Sequence, residues 1–211
     1  MEIEEYIDQL KELYTILLEY IESETETGDE YAVLINFFDS TKFCENKEEL
    51  KEYFRLLSII SLNHYRYHKF HEKLSKIIEY FQSEIKQTLS NAELFKLFKK
   101  DKRILLILFE KRLITNDEFL LKLMKKRIES NDENFRLFFY PELKKIFEKE
   151  KVTQIEEELL KIDSEIFTKF EEKRRVGEND SYICELIRND SIEKFVSYVT
   201  QKNVKLTSKI K

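Results

Sequence analysis

Apolar residues recur every three or four positions through most of the chain, and almost nothing interrupts them: only two glycines and one proline stand in 211 residues. Such a period traces one face of a helix, whereas a strand alternates every second residue. Sandwiches, barrels and phosphate-cradling loops need more of both turn residues. The spacing therefore predicts an all-α chain. Its 42% apolar and 37% charged composition suits helices with one wet face.

Ile3, Tyr6, Ile7, Leu10, Leu13, Tyr14, Leu17 and Ile21 form the stripe of a long first helix, which SETETGDE around Gly28 breaks. A short helix is expected from 29 to 38. After the loop DSTKFCEN, Asn46 with Glu49 begins a third helix, and a long segment covers 64–89. Ser90 with Glu93, Thr115 with Glu118, Ser130 with Glu133, and Asp190 with Glu193 read as capping boxes. In these the side chains satisfy first-turn N–H groups, each contributing about 1 kcal/mol. Pro141 is expected at the first position of a helix running to about 173, with Tyr140 outside it and Val152, Ile155, Leu159, Ile162, Ile166 and Phe170 as its stripe. Thr153 with Glu156 suggests a break inside that helix. The expected architecture is an irregular array of antiparallel helical hairpins, about nine to eleven helices in all. Ala32 and Ala92 are the only alanines, so the 17 Phe and 11 Tyr must fill the space between helices.

Charge is unevenly spread. Residues 1–63 hold 16 acids against 5 bases, and residues 96–127 hold 11 bases against 4 acids. Such regions can be two solvated faces, or can pair within one chain or between copies. Cys44 and Cys184 are 140 positions apart and fit no metal or redox motif, which suits a reducing compartment. MEIEEYIDQL lacks the basic and apolar regions of a signal peptide, and the longest uncharged apolar run, Ile104 to Phe109, is far short of a membrane span. A cytoplasmic protein is expected.

LFKLFKKDKRILLILF (94–109) lies over ICELIRNDSIEKFVSY (183–198) at an offset of 89, with Leu106 over Phe195 and Ile107 over Val196. Both read as helix, polar turn, helix. The stretch DSYICELIRNDSIEKFVSYVTQKNVKLTSK resembles one ankyrin repeat. Ile183, Leu186 and Ile187 fit the inner face of its first helix, and Ile192, Phe195, Val196 and Val199 fit the second. Asn189 and Asp190 stand where the family has a polar residue and Gly, and Asn203–Val204 where the repeat turns out. The Thr-Pro-Leu-His opening and both turn glycines are missing, so the unit is a degenerate or capping repeat. EKRRVGENDSYICELIRNDSIEKFVSYV, KKDKRILLILFEK and FFYPELKKIFE are similar to the helical amino-terminal region and first repeat of a large protozoan family of ankyrin-repeat proteins. The resemblance covers roughly residues 90–211. It implies a helical domain over 1–176, with a sub-boundary near 89, feeding an ankyrin-like hairpin over 177–211. Gly177 would mark the junction as a left-handed helix cap and a hinge. One repeat cannot bury its own apolar face, so the array is expected to continue beyond residue 211. The family brings no catalytic residues.

Chemistry is sparse. His64, His68 and His71 share a helix face at spacings that allow an open zinc site, but no HExxH accompanies them, and a partly exposed helix with ordinary histidines is the plainer reading. Lys99, Lys100, Lys102, Arg103, Lys111, Arg112, Lys125, Lys126 and Arg127 form a basic patch interleaved with Phe95, Phe98, Phe109 and Phe119. Phosphates could bind there and bases could stack, or the rings could be core and the cations solvated. No nucleophile motif is present, and no cofactor or enzyme activity is expected. Three functions stay open: a protein–protein interaction and scaffold module capping an ankyrin array, a self-association domain, and a binder of nucleic acid or anionic surfaces through 96–127. Ankyrin-type contacts would involve Asn179, Asp180, Tyr182 and Asn203.

Overall fold

The computed structural model describes residues 3–23, 28–41, 46–63, 69–115, 118–129, 133–144, 147–162, 164, 167–168, 170–176, 186–187 and 190–201. Among these the chain is all helical, with no strand. The helices are α1 (Ile3–Glu22), α2 (Asp29–Thr41), α3 (Lys47–Asn63), α4 (Phe70–Tyr80), α5 (Gln82–Thr88), α6 (Asn91–Phe98), α7 (Lys102–Glu110), α8 (Glu118–Glu129), α9 (Glu133–Phe138), α10 (Tyr140–Leu143), α11 (Lys149–Ile162), α12 (Phe170–Val176) and α13 (Ile192–Gln201).

The short apolar run forms the centre of this packing. On α7, Ile104, Leu105, Leu106, Ile107 and Leu108 are all buried, as expected of a helix that is apolar on every side. α3, α4, α6 and α12 pack around it. Outside that ring, α1 lies on α2 and α4, and α8 lies on α6 and α9. One continuous core runs from Leu13 to Leu143 and includes Leu89. A smaller cluster joins Tyr140 to Val152, Ile155 and Leu159 of α11, with Phe170 of α12 against it. Rings take the place of alanine seams. Phe38, Tyr53, Phe54, Tyr80 and Phe81 form an aromatic knot with centroids 4.8–5.9 Å apart. Most of these pairs are edge-on or tilted, as the ring quadrupole favours.

Several helix ends match the sequence reading. The Asn46 side chain accepts from the N–H groups of Glu48 and Glu49. Ser90 and Glu93 form a complete capping box. Other ends differ. α13 starts at Ile192 with Ser191 before it, so Asp190 is not its cap. Asp190 instead ends the preceding helical turn at φ 47°. The N–H of Ser191 reaches the Leu186 carbonyl at 2.9 Å, and that of Asp190 reaches Ile187 at 3.2 Å. These two bonds define a Schellman motif with Asp190 at the left-handed position. Arg112 does the same after α7 at φ 54°, with Leu113 bonded to Leu108 and Arg112 to Phe109. In a glycine-poor chain, both stops fall on residues with a Cβ. α8 starts at Glu118, and Ser130 lies outside the described residues.

Pro141 sits at the second helical position, with Tyr140 inside the helix and buried. The helix expected to reach 173 is instead α10, α11 and α12. α11 passes through Thr153 unbroken, because the Thr153 hydroxyl bonds back to the Lys149 carbonyl within the helix. The segment 64–89 divides at Phe81, whose buried ring turns into the aromatic knot between α4 and α5.

Two polar groups inside the core hold helix ends. Asp101 is buried and caps α7, accepting from the Ile104 N–H at 3.1 Å and from the Ser58 hydroxyl at 3.5 Å. Burial pushes its carboxyl above the usual range. The Lys73 ammonium, from α4, donates to the carbonyls of Tyr20 (2.6 Å), Ile21 (3.2 Å) and Ser23. It thereby satisfies the otherwise orphaned carbonyls at the end of α1.

Lys73→Met should destabilise the protein by about 2 kcal/mol, because charged hydrogen bonds to several carbonyls are lost at once. Arg112→Gly should raise stability by about 1 kcal/mol, since glycine adopts the left-handed cap without the Cβ penalty. Urea denaturation measures both, and the opposite signs make the pair a check on the two helix ends.

Candidate interaction surface

α1 carries an apolar arc wider than one neighbour can cover. Leu13, Leu17, Tyr20 and Ile21 are buried. Ile7 and Tyr14, at one margin of the same arc, remain 44% and 41% exposed. On α3, Leu50, Tyr53, Phe54 and Leu57 enter the core, while Ile59 is 56% exposed and Leu62 is also open. Between the two helices lies a groove of about 670 Å³, lined by Ile7, Leu10 and Tyr14 from α1 and Arg55, Leu56 and Ile59 from α3. Ion pairs edge it: Asp8 with Lys11 at 2.8 Å, and Glu52 with Arg55. An apolar floor with charged margins is what a helix-binding groove requires. Ile7 and Tyr14 belong to the stripe that the spacing gives α1, and the structure leaves both half exposed. The signal for their exposure was the breadth of the arc on α1, together with Ile59 and Leu62 standing off the buried face of α3.

Four of the nine basic residues touch neighbouring helices. Lys111 pairs with Glu79 at 2.8 Å. Lys102 lies over the Phe138 ring, Arg103 over Phe70 and Arg127 over Phe135, at 5.0, 5.5 and 4.2 Å from the centroids. Lys99 and Lys100 lie exposed in the α6–α7 turn, Arg112 lies in the cap after α7, and Lys125 and Lys126 are exposed on α8. Phe95 and Phe98 are buried, so neither offers a face to a base.

Of the three histidines, His64 and His68 lie outside the described residues. His71 faces inward from α4. Its Nε2 is 3.1 Å from Glu110 of α7, and the other Glu110 oxygen accepts from Arg175 of α12 at 2.9 Å. This His71–Glu110–Arg175 chain ties three helices together. Nearby, Arg174 is buried against Phe138, Phe139 and Phe170 and pairs with Glu142 at 2.7 Å. Among the described residues, no three His, Cys, Asp or Glu side chains gather to share an ion. Asn179, Asp180, Tyr182 and Asn203, together with Cys44, Cys184 and Gly177, also lie outside the described residues. No helix among the described residues is long and apolar enough to cross a membrane.

No protein-family model, curated protein or solved structure matches the chain.

Burial pulls the His71 imidazole below its ordinary value of 6.5, against the opposing pull of Glu110. The unfolded chain therefore takes up this proton first as pH falls. Stability from the site is complete above the unfolded value and is lost as pH drops toward the depressed folded value. Urea midpoints should fall between neutral and mildly acid pH, and His71→Gln should flatten that fall.

Proposed function

We propose that this chain is a non-catalytic protein–protein interaction module, a helical body over 1–176 that leads into an ankyrin-like hairpin over 177–211 and serves as the amino-terminal cap of a scaffold. The observation that carries the interaction role is the open apolar groove between α1 and α3. Exposed Ile7, Tyr14, Ile59 and Leu62 do not stabilise a lone chain in water, and a partner that covers them gains the burial energy. The groove offers shape and grease rather than nucleophiles, which suits binding better than turnover.

The ankyrin-like reading draws support from the turn before α13. Asp190 adopts a left-handed conformation at the position where the repeat family has Gly, and Leu186 is buried as an inner-face residue should be. Ile187 is more exposed than an inner-face residue inside an array would be. A cytoplasmic setting remains part of this proposal, resting on the two isolated cysteines.

A photo-crosslinking residue at Tyr14 tests the interaction role. In lysate it should yield discrete adducts that a crosslinker at exposed Lys125 does not. Equal, diffuse labelling at both positions would count against a built binding surface.

A further inference from the structure

Arg174 and Arg175 stand side by side in the last turn of α12 and fasten it in different ways. Arg174 is enclosed: its guanidinium lies against Phe138, Phe139 and Phe170 and bonds Glu142 of α10. Arg175 is half exposed and donates to one oxygen of Glu110 on α7 at 2.9 Å. The other oxygen of that carboxylate lies 3.1 Å from His71 Nε2 on α4. A permanent cation and a titratable ring therefore share a single carboxylate.

The shared carboxylate suits a neutral ring. With Nε2–H donating to Glu110, Nδ1 carries no proton, and it is buried with no partner among the described residues. A proton at Nδ1 would create a second cation beside Arg175 and a buried N–H with no acceptor. Arg103 of α7, whose guanidinium lies over the adjacent Phe70 ring, repels that cation further. The remaining charged groups around α4 are engaged elsewhere. Lys69, Glu72 and Lys73 of α4 turn to the cavity against α1 and α2. α1 meets α4 through the carbonyls of Tyr20 and Ile21 at Lys73, and α2 meets it through Tyr31 at Lys76 and Asp39 at Tyr80. α5 begins at the far end of α4, and Glu171 of α12 bonds Arg174.

Two cations that draw on one carboxylate weaken each other's hold, and linkage makes the effect reciprocal. Arg175 is the partner free to yield. α7 is buried on every side from Ile104 to Leu108, whereas water can take up the half-exposed guanidinium.

We propose that His71 is a proton-sensitive latch on the last turn of α12: when the imidazole takes up a proton, Arg175 loosens from Glu110 while Arg174 keeps the helix seated. The turn that leads into residues 177–211 is thereby released at mildly acid pH, whatever occupies the α1–α3 groove. Burial also raises the Glu142 carboxyl, so acid acts on the Arg174 anchor too, and substitution of His71 separates the two effects.

Two measurements on the full chain test the latch. Proton NMR follows the His71 ring through a pH titration, with its signal assigned by loss in His71→Gln. Arg175→Gln should raise the midpoint of the ring by about half a pH unit, and Arg175→Lys, which keeps the charge, should raise it less. Arg175 is half exposed, so neither change removes a core contact. Amide hydrogen exchange, corrected for the intrinsic effect of pH, then reads α12 between about pH 7.5 and about pH 5.5. Protection at Arg175 and Val176 should fall about threefold more than at Ile107 of α7, and the extra fall should vanish in His71→Gln. A midpoint that Arg175→Gln leaves in place or lowers overturns the proposal. So does an α12 that loses protection no faster than α7, which would be unfolding of the whole body. An extra loss that survives in His71→Gln also overturns it and assigns the acid response to Glu142.

Discussion

Aromatic rings set the distances in this fold. With two alanines in the whole chain, helices cannot approach through small-residue seams, and Phe38, Tyr53, Phe54, Tyr80 and Phe81 act as spacers as much as glue. α1 is seated on α2 and α4, while α3 is seated on α6 and α7. The space between α1 and α3 stays open because the bulky residues of each helix are committed to those other neighbours. The groove is therefore a by-product of how the core is filled, and its floor includes Leu10 and Leu56, which pack against the edge of that core.

Sequence alone made the local features readable. The α1 stripe, the Asn46 cap and the Ser90–Glu93 box depend on residues within a few positions of one another, and the structure carries all three. The all-α class followed from the same periodicity. What could not be read was whatever depends on distant partners. Nothing near Lys73 in the chain marks it as the cap of a helix about 50 residues earlier. Nothing near Asp101 says that it is buried beneath Ser58. The break at Phe81 and the division of 140–173 into three helices follow from where rings must point, which a helical period does not encode.

The interaction surface shows the same divide. Ile7 and Tyr14 fall on the α1 stripe by spacing, yet the structure leaves them half open. The basic patch was real as composition, yet several of its cations lie on Phe rings or pair with a carboxylate, where each contributes to packing. Part of the charge clustered in the sequence thus serves as fastening across several helices, while Lys99, Lys100, Arg112, Lys125 and Lys126 stay exposed.

The lysine that closes the end of α1 also ties that end to a distant stretch of the chain. α1 and α2 are contiguous in the chain, but the Lys73 ammonium that bonds the Tyr20 and Ile21 carbonyls comes from α4. That end of the first hairpin is therefore fastened by a residue about 50 positions further along the chain. The amino-terminal hairpin and the helix that follows α3 are thereby joined in one stability unit, and loss of α4 would release the end of α1.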